Sequence, residues 1–520
     1  MFFSSFFHDR NLLTCYTLNI KGYHSNLNLS SSSNESVLQA NQLDQLKRLS
    51  YLIVKRSTTR QSQFSYAQEL CNTYYQCNTA ERIAYLCFLA NDLYSEFNLV
   101  NGAVNSFSST QTRAESYDPA LLIDRLRSQL RPRYHNLFRY ISRLDNGVKF
   151  LVHLRGDLIT AIGNQYFHTQ SVKVLLRLMS TELSELLSLW FSVGFLQLQR
   201  VTWDSPTSIL QKITDYEAVH PIQNWDDLKH RVGLYRRCYM FSHSCLPGEP
   251  LVILHVALVP QISSSIQTIL ATTDDQTNDT QYYNSNQLND CEDVDLIDAA
   301  IFYSISSTQK GLNGIDLGHH MIQQVASELK LEFNGHITQF SSLSPIPNFT
   351  EYLISTLKTI QQGGKEADHF RSFWNDDDDD QNQLEQLRSY LSHNIFSSSR
   401  SKIINSLWFQ LIDVIRSGQW VSHPILVEML KKPLMKTCAF YLYHEKRRGY
   451  ALNSVANFHL KNGAVMWRLN WMADSSQNGI SNSCGIMINY RYYLEEQQKN
   501  SQVYLNEKQI VANEKFLQWL

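Results

Sequence analysis

The feature that most constrains this chain is a change of hydrophobic period near residue 198. Before it, apolar residues recur at helical spacing: Val172, Leu175, Leu176, Met179, Leu183, Leu186, Leu187 and Trp190 make one continuous helical face. Asn78, with Glu81 three residues on, reads as a capping box ahead of Ile83, Leu86, Phe88 and Leu89. Asp118-Pro119 reads as a cap with proline at the first helical position, followed by Leu122, Leu126 and Leu130. After residue 198 the apolar runs are short and rich in β-branched and aromatic residues, as buried strands require. These runs are 251–259 (LVILHVALV), 299–306 (AAIFYSIS), the alternating 464–472 and 486–494 (IMINYRYYL), with helical stretches around 315–332 and 403–416. The predicted class is α+β: an all-helical bundle over 61–198, then a mixed α/β domain over 199–520. A chain of 520 residues also exceeds what a single core usually supports.

Three segments read as peripheral. Residues 1–60 carry seven basic and three acidic side chains and many serines, which predicts a disordered tail or an organellar transit segment. Residues 271–298 and 361–384 are polar and acidic and read as inserted solvated loops. The run Asp376 to Asp380 lacks the alternating spacing and central glycine of a calcium loop.

Bulk chemistry excludes several classes. A net charge of −2 offers no electrostatic case for nucleic acid or acidic membranes. No apolar run reaches the roughly 18 residues that a membrane span needs. Nine cysteines without a CxxC pair argue against a disulfide scaffold and a zinc ribbon, and fit a reducing compartment. Whatever the chain binds, it binds locally.

Local chemistry concentrates in three places. The strand 299–306 runs into STQKGLNGIDLG, whose Gly311, Gly314 and Gly318 precede an amphipathic helix. Glycines between a strand and a helix start let free N–H groups approach an anion such as a pyrophosphate. The spacing is neither GxGxxG nor a Walker loop, and Gln309, Gly311 and Gly314 approximate the acyl-CoA turn of acetyltransferase-like folds. Downstream, FSSLSPIPNF holds Ser341, Ser342 and Ser344, and Pro345 forces Ser344 into an extended backbone that presets its hydroxyl. In ALNSVANFHLKNGAV, Asn453 is suited to cap a short helix that ends at Asn462-Gly463. His459 at that C-terminus is expected to be favoured as the cation by the helix dipole.

Together with RVTWDSPTSILQKITDYEAVHPIQNWDDLKHRVG, YRRCYMFSHSCLPGEPLVILHVAL and GISNSCGIMINYRYYLEE, these segments resemble the malonyl-CoA decarboxylase family, in order from about 200 to 496. The resemblance implies a helical N-terminal oligomerisation domain, an acetyltransferase-like (GNAT-type) catalytic domain, a homotetramer, and no metal or organic cofactor. It implies conversion of malonyl-CoA to acetyl-CoA and carbon dioxide, a step that regulates fatty-acid synthesis and oxidation. The catalytic pair falls on Ser344 and His459. Substrate contacts fall on Asn313, Gly314, Ile315, Asp316, Leu317, Gly318 and His319, with Lys212 and Tyr492 in support. In the expected reaction Ser344 orients the malonyl carboxylate and His459 protonates the enolate; a serine acting as proton acceptor fits the same residues. An acyl-CoA transferase of the same fold and a non-catalytic malonyl-CoA sensor are the alternatives. Lys310, Arg236, Arg237 and Lys446 to Arg448 are candidates for the CoA 3′-phosphate.

The chain departs from the family pattern at Asp316, where glutamate is expected. It also has Thr207 and Ser244 where some members carry cysteines for interchain disulfides, which puts redox-linked assembly in doubt. A mitochondrial matrix location is expected, with the cytoplasm as the alternative. The final residues, FLQWL, are not a Ser-Lys-Leu peroxisomal address.

Overall fold

The computed structural model describes residues 35–55, 59–94, 119–163, 170–271, 291–315, 317–374, 380–395 and 406–520. The chain divides into two compact units, Met1–Glu185 and Leu186–Leu520.

Helices account for the first unit: α1 (Glu35–Val54), α2 (Arg60–Gln76), α3 (Thr79–Asp92), α4 (Pro119–Leu130), α5 (Arg133–Ile141), α6 (Gly147–Gly163) and α7 (Gln170–Trp190), the last running past the division. Asn78 and Glu81 form the reciprocal capping box of α3. Pro119 opens α4; Asp118 lies outside the described residues. The helix α1 occupies part of the stretch read as a tail, because Leu46, Leu49 and Ile53 bury an apolar stripe that the serine-rich composition obscures. Residues 1–34 lie outside the described residues.

The described residues of the second unit hold ten strands. An eight-stranded mixed sheet runs in the order β1 (Gln197–Val201), β2 (Arg236–Ser242), β3 (Val252–Val259), β4 (Ala299–Ser307), β5 (Gln339–Ser342), β10 (Met487–Tyr492), β6 (Ser344–Pro345), with β9 (Val465–Asn470) also paired to β10. Among the described strand pairs of this sheet only β4 and β5 are parallel. They are joined through α11 (Gly318–Glu332), the kind of crossover that a parallel pair demands. β7 (Lys446–Arg447) and β8 (Tyr450–Ala451) form a separate hairpin.

On one part of the sheet α8 (Thr207–Tyr216) and α9 (Trp225–Val232) bury Leu210, Ile213, Leu228 and Val232 with Cys238, Met240 and Ile253. Elsewhere α10 (Ile266–Leu270) packs among Ala257, Ile301, Leu343, Trp467 and Met487. The runs 251–259, 299–306, 464–472 and 486–494 each form a strand. The helix expected at 315 starts at Gly318, and the one expected at 403 starts at Leu407.

Both expected loops carry more structure than their polarity suggests. Within 361–384, α12 (Phe349–Gln362) ends, α13 (Lys365–Ser372) follows, and α14 (Asp380–Tyr390) begins; 375–379 lie outside the described residues. Within 271–298, Glu292 is drawn inward by a 2.7 Å ion pair to the buried Arg237. The remaining helices are α15 (Leu407–Ser417), α16 (Pro424–Tyr443), α17 (Ser454–Lys461), α18 (Gln477–Ser483), α19 (Gln497–Gln502) and α20 (Glu514–Leu517).

Candidate active site

A cavity of about 490 Å³ opens in the second unit between the end of β4, the turn before α11, the β6 segment and α17. Ser344 enters it from β6, where pairing of Ser344 with Ile488 and the following proline hold the backbone extended. His459 enters from α17. Asn453 caps that helix, its Oδ1 accepting from the Ala456 N–H at 2.9 Å, while its Nδ2 donates to the Pro347 carbonyl at 3.0 Å. One side chain therefore ties the histidine helix to the serine segment. The helix ends at Asn462 and Gly463, whose φ of +74° a side chain would strain.

These ties bring His459 Nε2 to 2.9 Å from Ser344 Oγ. Tyr492, at the end of β10, sets its hydroxyl 2.6 Å from His459 Nδ1. Ser344 Oγ in turn donates to Ser342 Oγ at 2.8 Å. Tyr490 stacks on the imidazole with 4.4 Å between ring centroids.

The hydrogen bonds assign the tautomer. Burial holds the Tyr492 phenol protonated, its pKa pushed well above 10.0, and its O–H has no other acceptor among the described residues. Nδ1 accepts that proton, so Nε2 carries the imidazole hydrogen and donates to Ser344.

The imidazole itself is neutral, contrary to the cation expected from its place at a helix end. Full burial without a nearby carboxylate pushes its pKa down to about 3. Desolvation of a whole ring outweighs the modest help of a short helix dipole.

The glycine turn forms one wall. After β4 the chain makes a single 3₁₀ turn, Lys310–Leu312, then reverses through Gly314 at φ +84° and enters α11 at Gly318. The N-cap residue of α11 is Leu317, whose side chain cannot cap, so among the described residues the leading N–H groups of the helix are left available for an anion. Gly318 lets α11 pass close to α17: a Cβ there would stand 2.8 Å from the Phe458 ring, beside His459, and the ring would have to shift. Asn313, Gly314, Ile315, Leu317 and Gly318 all line the cavity with Ser344 and His459. Asp316 and the His319 side chain lie outside the described residues.

Lys212 stands elsewhere. It donates to the Gly248 carbonyl at 2.6 Å and pairs with Glu249 at 3.0 Å, and it does not line the cavity. Arg236 and Arg237 are also spoken for: Arg236 bonds the Tyr235 and Ile269 carbonyls, and Arg237 is held by Glu292 and Glu332.

Sequence reading missed the buried support behind Val219 and Tyr303, which line the opposite wall. Glu217 Oε1 accepts from the Val219 and His220 N–H groups at 2.9 and 3.0 Å and from Ser304 Oγ at 2.8 Å. Its Oε2 lies 3.3 Å from His255 Nε2, with both side chains fully buried. Burial works to raise the Glu217 pKa, but the His255 contact and these donors carry it down to about 2. The only sequence hint was a histidine inside an apolar strand, which needs a polar partner wherever it is buried.

No cluster of three metal-ligating side chains occurs among the described residues, and no helix there is long and apolar enough to cross a membrane.

Residues 194–520 match the family profile described as malonyl-CoA decarboxylase C-terminal domain, and 96–191 match its N-terminal domain. The mitochondrial malonyl-CoA decarboxylase of Rattus norvegicus is 45% identical over 443 residues, covering 82% of this chain and 80% of the relative. That of Mus musculus is 46% identical over 438 residues, with 82% and 80% covered. Among solved structures, malonyl-CoA decarboxylase from Rhodopseudomonas palustris superposes with a TM-score of 0.72 at 28% identity, covering 92% of this chain and 99% of that one. The enzyme from Agrobacterium vitis gives 0.69 at 26% identity, with 92% and 99% covered.

Proposed function

Because the chain belongs to the malonyl-CoA decarboxylase family, we propose that it converts malonyl-CoA to acetyl-CoA and carbon dioxide in this cavity, using Ser344 and His459. The observation that carries the reading is the 2.9 Å contact between His459 Nε2 and Ser344 Oγ beside an uncapped helix start.

Breaking the bond to the carboxylate leaves its electron pair on the thioester as an enolate, so the barrier is one of charge placement followed by protonation. The α11 N–H groups and the Gly311–Gly318 turn take the CoA diphosphate, converting remote binding into position. The Ser344 hydroxyl turns from Ser342 to the malonyl carboxylate and orients it for departure. As carbon dioxide leaves, His459 gives its Nε2 proton to the α-carbon and takes the Tyr492 proton at Nδ1. No imidazolate accumulates; a proton from water then enters at Nε2 while Nδ1 returns its proton to the phenolate, which restores the starting tautomer. The neutral imidazole supports this relay, because a cation would need no phenolic donor.

The acetyltransferase-like (GNAT-type) designation of the second unit rests on the parallel β4–β5 pair with an acyl-CoA-type turn between them. The rat and mouse names support a mitochondrial location, where removing malonyl-CoA would regulate fatty-acid synthesis and oxidation. Val174 and Leu178, one turn apart on α7 and each 44% exposed, support self-association, and the tetramer is the expected state.

Purified chain given malonyl-CoA, with no added amine or alcohol, should release carbon dioxide and acetyl-CoA in equal amounts. In heavy water the acetyl methyl should carry one deuterium. A requirement for an acceptor would favour a transferase, and unchanged malonyl-CoA would favour a sensor.

A further inference from the structure

The cavity wall carries no carboxylate and one cation among the described residues that line it, Lys461. Lys461 sits on the same helix as His459, two residues on, and side chains at that spacing do not share a face. It therefore does not serve the carboxylate that departs beside His459 and Ser344. Its Nζ instead lies 5.5 Å from the centroid of Tyr450.

The same ring gathers further positive charge. Lys508 Nζ stands 3.7 Å from the Tyr450 centroid and donates to the Tyr450 hydroxyl. Nearby, Lys446 Nζ donates to the Lys508 carbonyl at 3.3 Å, and Arg447 is the backbone register partner of Tyr450 in the β7–β8 hairpin. None of these four cations is paired with a carboxylate among the described residues. Unneutralised charge held by an aromatic ring at the edge of a cavity is a preformed seat for a polyanion.

On the reading of the cavity as a CoA-ester site, we infer that Lys461, backed by Lys508 across Tyr450, recognises the ribose 3′-phosphate of the substrate. CoA carries its charge at the nucleotide end. Its diphosphate is met by backbone N–H groups at the glycine turn, which leaves the 3′-phosphate dianion to be matched by a side-chain cation. This assignment replaces Arg236 and Arg237, which are buried in contacts of their own.

The test is calorimetric binding of CoA and 3′-dephospho-CoA to the full-length protein, which needs no turnover. Wild type should prefer CoA by about tenfold, the size of one charge-assisted contact. Lys461→Gln should bring the two affinities within about twofold, and Lys461→Arg should keep most of the preference. The ratio is insensitive to a misfolded fraction, which lowers the number of sites for both ligands alike. The inference is overturned if wild type shows no preference, if Lys461→Gln retains it, or if both ligands weaken equally. Absence of carbon dioxide release alongside the predicted ratios would overturn the decarboxylase reading and leave the Lys461 assignment standing.

Discussion

Acidification from pH 7 to pH 5 should cost the folded protein about 2 kcal/mol through His459 alone. An unfolded histidine titrates near 6.5, whereas burial holds His459 down to about 3. Between these values the unfolded chain binds a proton that the folded one refuses, so stability falls as pH falls. The contribution is intact above pH 6.5 and is lost progressively toward pH 3. Over pH 7 to 5 the unfolded histidine becomes almost wholly protonated and the folded one stays neutral, which gives about 2 kcal/mol at 1.36 kcal/mol per pH unit. His230, also buried and lowered to about 4, adds its own acid sensitivity. The measurement is therefore a difference: urea unfolding of wild type and His459→Asn at both pH values, with ¹⁵N chemical shifts of the imidazole in parallel. Wild type should lose about 2 kcal/mol more than the variant, and its Nε2 should still show the protonated neutral tautomer at pH 5. Equal losses in both proteins, or an imidazolium at pH 5, would refute the neutral histidine and the relay built on it.

Three further outcomes follow from the same geometry. Tyr492→Phe removes the donor to Nδ1 and should lower kcat by about tenfold to a hundredfold, with KM within about twofold, in a carbon dioxide release assay; a rate near wild type would remove the phenol from the relay. Gly318→Ala sets a methyl 2.8 Å from Phe458 and should lower kcat/KM by at least about tenfold through displacement of the histidine helix, with the displacement checked crystallographically. Glu217→Gln strands the buried His255 and should destabilise the fold by about 3–5 kcal/mol at pH 7 in thermal or urea unfolding; a change under about 1 kcal/mol would mean that the pair is not an ionic one.

Much of the second unit was legible because its strands are buried on both faces. The runs 251–259 and 299–306 are apolar apart from His255, Ser304 and Ser306, and a segment of that length bounded by turn residues has few other fates. Edge strand β1 escaped notice because Gln197, Gln199 and Arg200 face solvent and break the apolar signal. The cap at Asn453 and the stop at Gly463 are local chemistry and could be read directly, as could the extended backbone of Ser344 before its proline. The charge of His459 could not. A helix end is visible in sequence, whereas the Tyr490 and Tyr492 rings that dehydrate and bond the imidazole come from a strand some thirty residues away. Lys461 lies in the same segment as His459, and its setting depends on Tyr450 and Lys508, which the hairpin and residues far along the chain bring to it. Lys212, carried by the resemblance, stands by Glu249 and off the cavity wall.

The central claim is that Ser344 and His459 act on malonyl-CoA as one unit, and a double-mutant cycle of decarboxylation tests it most directly. Steady-state carbon dioxide release would be measured for wild type, Ser344→Ala, His459→Asn and the double variant. Each single change should reduce kcat by at least about a hundredfold, and the double variant should be no more than a few-fold worse than the slower single one. Losses that multiply, or single variants with near-normal turnover, would contradict the account.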